Sequence, residues 1–104
     1  MNSRVRFEGE AAEEYRLAGR WYEARRENLG VEFLDAVDDT IERILALPRS
    51  GTRVPSIGPD LPVRRLAVTR FPYHVVYLKM DDDLRILAIA HDRRRPGYWK
   101  TRLE

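Results

Sequence analysis

Between residues 48 and 62 the chain places four prolines, Pro48, Pro55, Pro59 and Pro62, and two glycines, Gly51 and Gly58. This stretch divides two hydrophobic periods. Before it, apolar residues recur every three or four positions, as one face of a helix requires; after it, they form short, nearly continuous runs rich in β-branched and aromatic residues, as strands require. The chain is therefore expected to build helices first and a sheet afterwards, joined by a surface loop.

On the helical side, Val5-Arg6-Phe7 reads as a short opening strand that ends at Glu8-Gly9. Glu10 to Asn28 reads as a helix. Ala11, Tyr15, Ala18 and Tyr22 share one stripe, with Leu17 and Trp21 beside it. Glu13 and Glu14 lie in its first turns and Arg25 and Arg26 in its last, the polarity that the helix dipole favours. Asn28-Leu29-Gly30 is the break. Val31 to Leu47 reads as a second helix, striped by Phe33, Val37, Ile41 and Leu45 and widened by Leu34 and Ile44. Its opposite face is acidic: Glu32, Asp35, Asp38, Asp39 and Glu42. Pro48 stops it, because the proline ring cannot continue a helix. Two helices joined this tightly are expected to pack as an antiparallel hairpin.

Beyond the loop, Val63–Thr69, Tyr73–Leu78 and Leu84–Ala90 read as strands, separated by Arg70-Phe71-Pro72 and Asp81-Asp82-Asp83. Connections this short allow only an antiparallel meander. The predicted fold class is α+β: an N-terminal strand, an antiparallel two-helix hairpin and a three-stranded meander, forming one domain over residues 1–104 with one sheet face under the hairpin. Trp21, Phe33, Val37, Ile41, Val75 and Tyr77 are expected to be buried. Leu61 and Leu66 are expected near an exposed edge where a partner could dock.

Composition narrows the classes. Apolar residues make up 43% of the chain, enough for a core, and charged residues 35%, which argues for a solvated surface. No apolar run approaches the roughly 20 residues needed to span a bilayer, so no membrane partner is expected. The start, Met1-Asn2-Ser3-Arg4-Val5-Arg6, lacks the apolar stretch of a secretory leader, and a cytoplasmic location is the expectation. There is no cysteine, and the two histidines, His74 and His91, lack metal-ligand spacing, so neither metal nor cofactor is expected. No glycine-rich phosphate loop and no nucleophile elbow is present.

The net charge of +2 conceals an asymmetry. Residues 1–62 hold 9 basic and 12 acidic side chains; residues 63–104 hold 10 basic and 5 acidic. Nearly all the basic residues are arginines, whose planar forks suit phosphate or carboxylate. The sharpest concentration is His91-Asp92-Arg93-Arg94-Arg95-Pro96-Gly97-Tyr98-Trp99, which leaves the last strand. Its consecutive arginines cannot all be buried unpaired, so at least one of Arg93 and Arg94 is expected to meet a partner. Trp99 also has a simpler reading, as a lid folded back on the core. His74 and His91 are general acid–base candidates by residue type, although a lone strand histidine is more often structural.

Phe71-Pro72-Tyr73-His74-Val75-Val76-Tyr77, followed by Ala88-Ile89-Ala90-His91-Asp92-Arg93-Arg94-Arg95-Pro96-Gly97-Tyr98-Trp99, resembles the C-terminal half of RelE/ParE-superfamily toxins. The strong part of the resemblance covers residues 63–99. It implies the toxin of a type II toxin–antitoxin or plasmid-stabilization pair, held in a hetero-oligomer by a cognate antitoxin. RelE-like members are ribosome-dependent mRNA endoribonucleases that use arginine, lysine and tyrosine on the sheet face; ParE-like members inhibit DNA gyrase. His74 stands where RelE-like enzymes carry an arginine, Arg94 or Arg93 matches a second arginine, and Tyr98 is a shifted match to the C-terminal tyrosine. The lysines are replaced by Arg64 and Arg65. The long hairpin and the altered set point toward ParE-like binding. The alternatives are RelE-like cleavage through His74, Arg94 and Tyr98, and an inactive toxin kept for antitoxin binding and operon regulation. The expected contact set for target or partner is Arg64, Arg70, His91, Arg93, Arg94, Arg95, Tyr98 and Trp99.

Overall fold

The computed structural model describes residues 4–55, 57–58 and 60–103. Residues 1–3, read above for a leader, and Pro59 of the loop lie outside the described residues. The elements in order are β1 (Arg4–Phe7), α1 (Gly9–Glu23), α2 (Leu29–Ala46), β2 (Thr52–Arg53), β3 (Val63–Ala67), β4 (Tyr73–Met80) and β5 (Asp83–His91). Single 3₁₀ turns lie at Pro48–Ser50 and Lys100–Leu103. No helix among the described residues is long and apolar enough to cross a membrane.

The helical hairpin closes on glycine and glutamate. α1 ends at Glu23, earlier than its pattern predicts, because the Glu23 carboxylate turns back and accepts the backbone amides of Asn28 at 2.9 Å and Gly30 at 3.0 Å. Those amides open α2 and would otherwise lack acceptors. Asn28 takes a left-handed conformation, φ 71°. A Cβ on Gly30 would stand 2.4 Å from the Gly19 carbonyl oxygen, so the helices cross where only glycine fits. Leu47 and Pro48 end α2 where expected.

Phe33, Val37, Ile41 and Ile44 of α2 and Ala11 and Ala18 of α1 enter the core, as the stripes require. Trp21 does not. It is 52% exposed, with the Arg25 guanidinium 3.7 Å over its ring. The sheet takes the stripe through Ala11, Tyr15, Ala18 and Tyr22, and Trp21 lies about 100° round the helix from Tyr22. Tyr22 instead joins Phe33, Phe71 and Tyr73 in an aromatic cluster with centroid separations of 5.0–6.2 Å.

The three meander strands pair as expected, within a larger mixed sheet of order β1-β5-β4-β3-β2. β1 runs parallel to β5, with Arg4 opposite Asp83, and β2 adds a short antiparallel edge to β3. β2 pairs with β3 only at Arg64 and Arg65, so Leu66 lies on the part of β3 that β2 does not cover, with its side chain packed against the helix-side core; Leu61 stays 37% exposed. Between β4 and β5 the register steps from Val76–Ala88 to Tyr77–Ile86, which leaves Leu87 as an extra residue. This bulge puts Leu87 and Ala88 together in the outer-face cluster, while Ile86 and Ile89 join the helix-side core. The outer face thus has its own core: Val63, Val76, Leu78, Leu87, Ala88 and Ala90, roofed by Trp99 at 3% exposure and flanked by Val54, Ile57 and Leu103.

One hydroxyl fixes the loop to the sheet. Tyr77 is fully buried; its Oη donates to the Pro48 carbonyl at 2.6 Å and accepts the Gly51 amide at 3.0 Å. Arg64 Nη1 donates to the Gly51 carbonyl at 2.7 Å. These bonds set the start of β2, and hence the position of Arg53.

Candidate basic cleft and helix-side groove

The turn after β5 builds a corner between two hollows. Asp92 N donates to the Pro72 carbonyl at 2.9 Å, Arg94 N to the His91 carbonyl at 2.9 Å, and Arg93 N to His91 Nδ1 at 3.0 Å. On the outer face lies a cleft of about 470 Å³, lined by Arg53 of β2, Arg65 of β3, His74 of β4, and Asp92, Arg94 and Arg95. On the helix side lies a groove of about 570 Å³ with Leu17, Trp21, Tyr22, Pro72, Tyr73 and Ile89 along it. His91, Arg94 and Tyr98 border both.

In the cleft, His74 Nδ1 lies 2.9 Å from Asp92 Oδ1, and the His74 side chain is 15% exposed. A carboxylate at Nδ1 fixes that nitrogen as the N–H donor and leaves Nε2 to accept a proton or a ligand hydrogen bond. Asp92 is the one carboxylate among the residues described along this cleft, set against four arginines. The arrangement suits an anion with several oxygen atoms.

Tyr98 is differently committed. Its hydroxyl donates to Glu14 at 2.7 Å; Glu14 also receives both terminal nitrogens of Arg102 at 2.9 Å and the Ile89 amide at 3.1 Å. Burial, reinforced by the Glu14 carboxylate, holds the Tyr98 phenol far above the ordinary tyrosine range. Arg102, its side chain only 8% exposed, also donates to the Leu87 carbonyl at 2.9 Å. Glu14 and Arg102 thereby satisfy the edge of β5 beyond the reach of β1. Glu14, placed by sequence simply at a favourable helix start, is the centre of this clamp.

The expected contact residues separate accordingly. His74, Arg94 and Arg95 meet in the cleft, and His91 and Tyr98 stand at its border. Arg94 lies with its guanidinium 3.8 Å over the Tyr98 ring. Arg64 points the other way, to Gly51, and its neighbour Arg65 lines the cleft instead; strand alternation decides between them. Arg70, at φ 76°, pairs with Glu32 of α2 at 2.9 Å. Arg93 lines neither hollow described here. Trp99 is a core residue. Arg53 and Asp92 were not singled out from sequence. The signal for Arg65 was its place two-residue-periodic with Val63, and for Asp92 its place next to the strand-ending His91.

Known structures share the fold. The chain superposes on a chain titled as the chromosomal ParDE TA system from P. aeruginosa with a TM-score of 0.69 at 17% identity, covering 86% of this chain and 95% of that one. It superposes on the E. coli toxin RelE, a double arginine-to-alanine mutant in the free state, with a TM-score of 0.66 at 17% identity over 100% of both chains. No curated protein sequence matches. The family model described as "ParE toxin of type II toxin-antitoxin system, parDE" matches residues 5–96. The chain belongs to the ParE toxin family of type II toxin–antitoxin systems.

Proposed function

We propose that this toxin is neutralised in the cytoplasm by a cognate antitoxin, in a hetero-oligomer, and that it acts by binding DNA gyrase rather than by cutting RNA. The observation that carries this reading is the Tyr98–Glu14 bond of 2.7 Å within the Arg102 clamp. A tyrosine whose hydroxyl is spent on a partly buried carboxylate is not poised to serve a substrate, and Arg94 stacks on that same ring. The cleft also lacks lysine among its described lining residues. Removal of even one group that stabilises transition-state charge costs on the order of a hundredfold in rate, whereas a binding toxin needs only a complementary surface. Arg94, Arg95 and His91 supply such a surface.

The His74–Asp92 pair favours a second reading. In an mRNA endoribonuclease, His74 Nε2 would take the proton of a ribose 2′-hydroxyl as its oxygen attacks phosphorus, the 5′-oxygen would leave, and the arginines would hold the phosphate. Purified toxin separates the two. Gyrase-driven supercoiling is expected to be inhibited, with ribosome-bound mRNA intact, and toxicity is expected to fall with Arg94→Ala and persist with His74→Ala. Site-specific mRNA cleavage that disappears with His74→Ala would establish the ribonuclease instead. Antitoxin binding with neither activity would identify an inactive toxin.

A further inference from the structure

The face of the helical hairpin turned away from the sheet is divided by charge. Arg16 and Arg20 lie on the side of α1 opposite its buried stripe, and Asp35 and Glu42, with Asp38 beside them, lie opposite the buried stripe of α2; all five are exposed. Between the two rims is a hollow of about 550 Å³, floored by Ala12, Gly19, Gly30 and Leu34 and walled by Val31, which is 55% exposed. An apolar hollow of this extent, rimmed by charge, is the mark of an interaction surface rather than of scattered exposure. Arg16 already pairs with Glu13. Arg20 on one rim and Asp35 and Glu42 on the other have no ion-pair partner among the described residues. Burial, and after it the neighbouring Asp35, Asp39 and Glu42 carboxylates, push the Asp38 carboxyl up, so the α2 rim gains from an incoming cation. The hollow shares no lining residue with the helix-side groove or the outer cleft.

We propose that this face joins two copies of the chain in a weak two-fold dimer, with α1 of each protomer lying over α2 of its partner. Charge selects that arrangement. Two hairpins can meet face to face about a two-fold axis that runs across the helices or along them. The first lays α1 on α1 and α2 on α2, like charge against like. The second lays each α1 on the α2 of the other copy, at the same height. Leu34 lies against Gly19, so Arg20 and Asp35, each one residue further on, stand within about 3 Å of one height. The second arrangement therefore pairs Arg20 of each protomer with Asp35 of the other and covers Val31 and Leu34. Helices of 15 and 18 residues give a face of about 25 Å by 20 Å, and two such faces cover on the order of 1,000 Å², enough for specific but weak association. The helix-side groove and the outer cleft stay open in the pair.

Sedimentation of the purified chain, from micromolar to submillimolar concentration, tests this. A reversible monomer–dimer equilibrium is expected, weakened by high salt. Arg20→Glu and Asp35→Arg each set like charges against one another at both symmetry-related contacts, and each is expected to weaken association about tenfold. An equimolar mixture of the two variants is expected to restore it, because every contact then joins opposite charges. Val31→Glu is expected to weaken it at least as much, by carrying a carboxylate into the covered hollow. Trp21→Ala, on the other edge of α1, is expected to leave it unchanged. All three substituted interface positions are exposed, so the helical circular dichroism of each variant should match that of the parent chain. A chain that stays monomeric throughout the range overturns the inference. A dimer that withstands both charge reversals or Val31→Glu also overturns it, and so does a mixture that associates no more tightly than either variant alone.

Discussion

Replacing Tyr77 by phenylalanine removes one oxygen and leaves two backbone groups without partners. The Gly51 amide is buried beside the Tyr77 ring, and the Pro48 carbonyl is half-buried. A buried donor stripped of its acceptor costs about 1–3 kcal/mol, and a net hydrogen bond about 0.5–1.5 kcal/mol. Water can reach the carbonyl more readily than the amide, so the lower figure applies there. Together they give a loss of roughly 2–4 kcal/mol, which for a chain of this length lowers Tm by on the order of 10 °C or more. Urea denaturation followed by circular dichroism measures this directly: the midpoint should fall while the slope is unchanged. A loss below about 0.5 kcal/mol at constant slope would refute the reasoning, because it would mean that the Gly51 amide finds another acceptor.

Gly51→Ala should destabilise by about 1–3 kcal/mol, because a Cβ there would stand 2.6 Å from Tyr77 Oη and 2.7 Å from the Arg65 carbonyl oxygen; thermal unfolding checks it. Arg102→Met should cost on the order of 3 kcal/mol by leaving the Glu14 carboxylate short of its cation, and hydrogen exchange at the Ile89 amide should accelerate. The Tyr15 phenol, pushed up to about 12 by burial and its bond to Asp38, gives stability that is complete below pH 10 and lost as pH rises from there through about 12; Tyr15→Phe should flatten that alkaline loss in denaturation curves taken across the range. Complex formation with the antitoxin should bury about 1,600 Å² or more, and co-expression should restore growth that the toxin alone arrests.

The helices were legible because Phe33, Val37 and Ile41 repeat at a period that only one conformation satisfies, and the meander because Arg70-Phe71-Pro72 and the acidic turn leave no room for a crossover. What escaped depends on rotation and on distance along the chain. Trp21 and Tyr22 differ by one residue in sequence, yet the sheet accepts only one of them, and the choice is made by the small side chains Ala11 and Ala18 that let α1 approach. The place of β1 beside β5 joins residues at opposite ends of the chain, which no local pattern encodes. The candidate site was half visible: the run from His91 to Trp99 located the corner, and His74 lines the cleft beside it. The exchange of Arg64 for Arg65 turned on which face of β3 meets the helices, while the pairing of His74 with Asp92 and the clamp at Glu14 required the placing of β5 between β4 and α1.

The arrangement around β5 also governs how the molecule comes into being. The first half of that strand pairs with the start of the chain, and its second half is finished by Arg102, almost the last residue described. Its pairing with β4 is a local hairpin, but the β1 side joins residues about 80 apart, so loop-closure entropy must be overcome before that parallel pairing is rewarded. Without residues 92–103 the second half of β5 lacks its bond from Arg102, and the outer core lacks Trp99. Both hollows therefore depend on the turn after β5, and neither can form before His91, Arg94 and Tyr98 are in place.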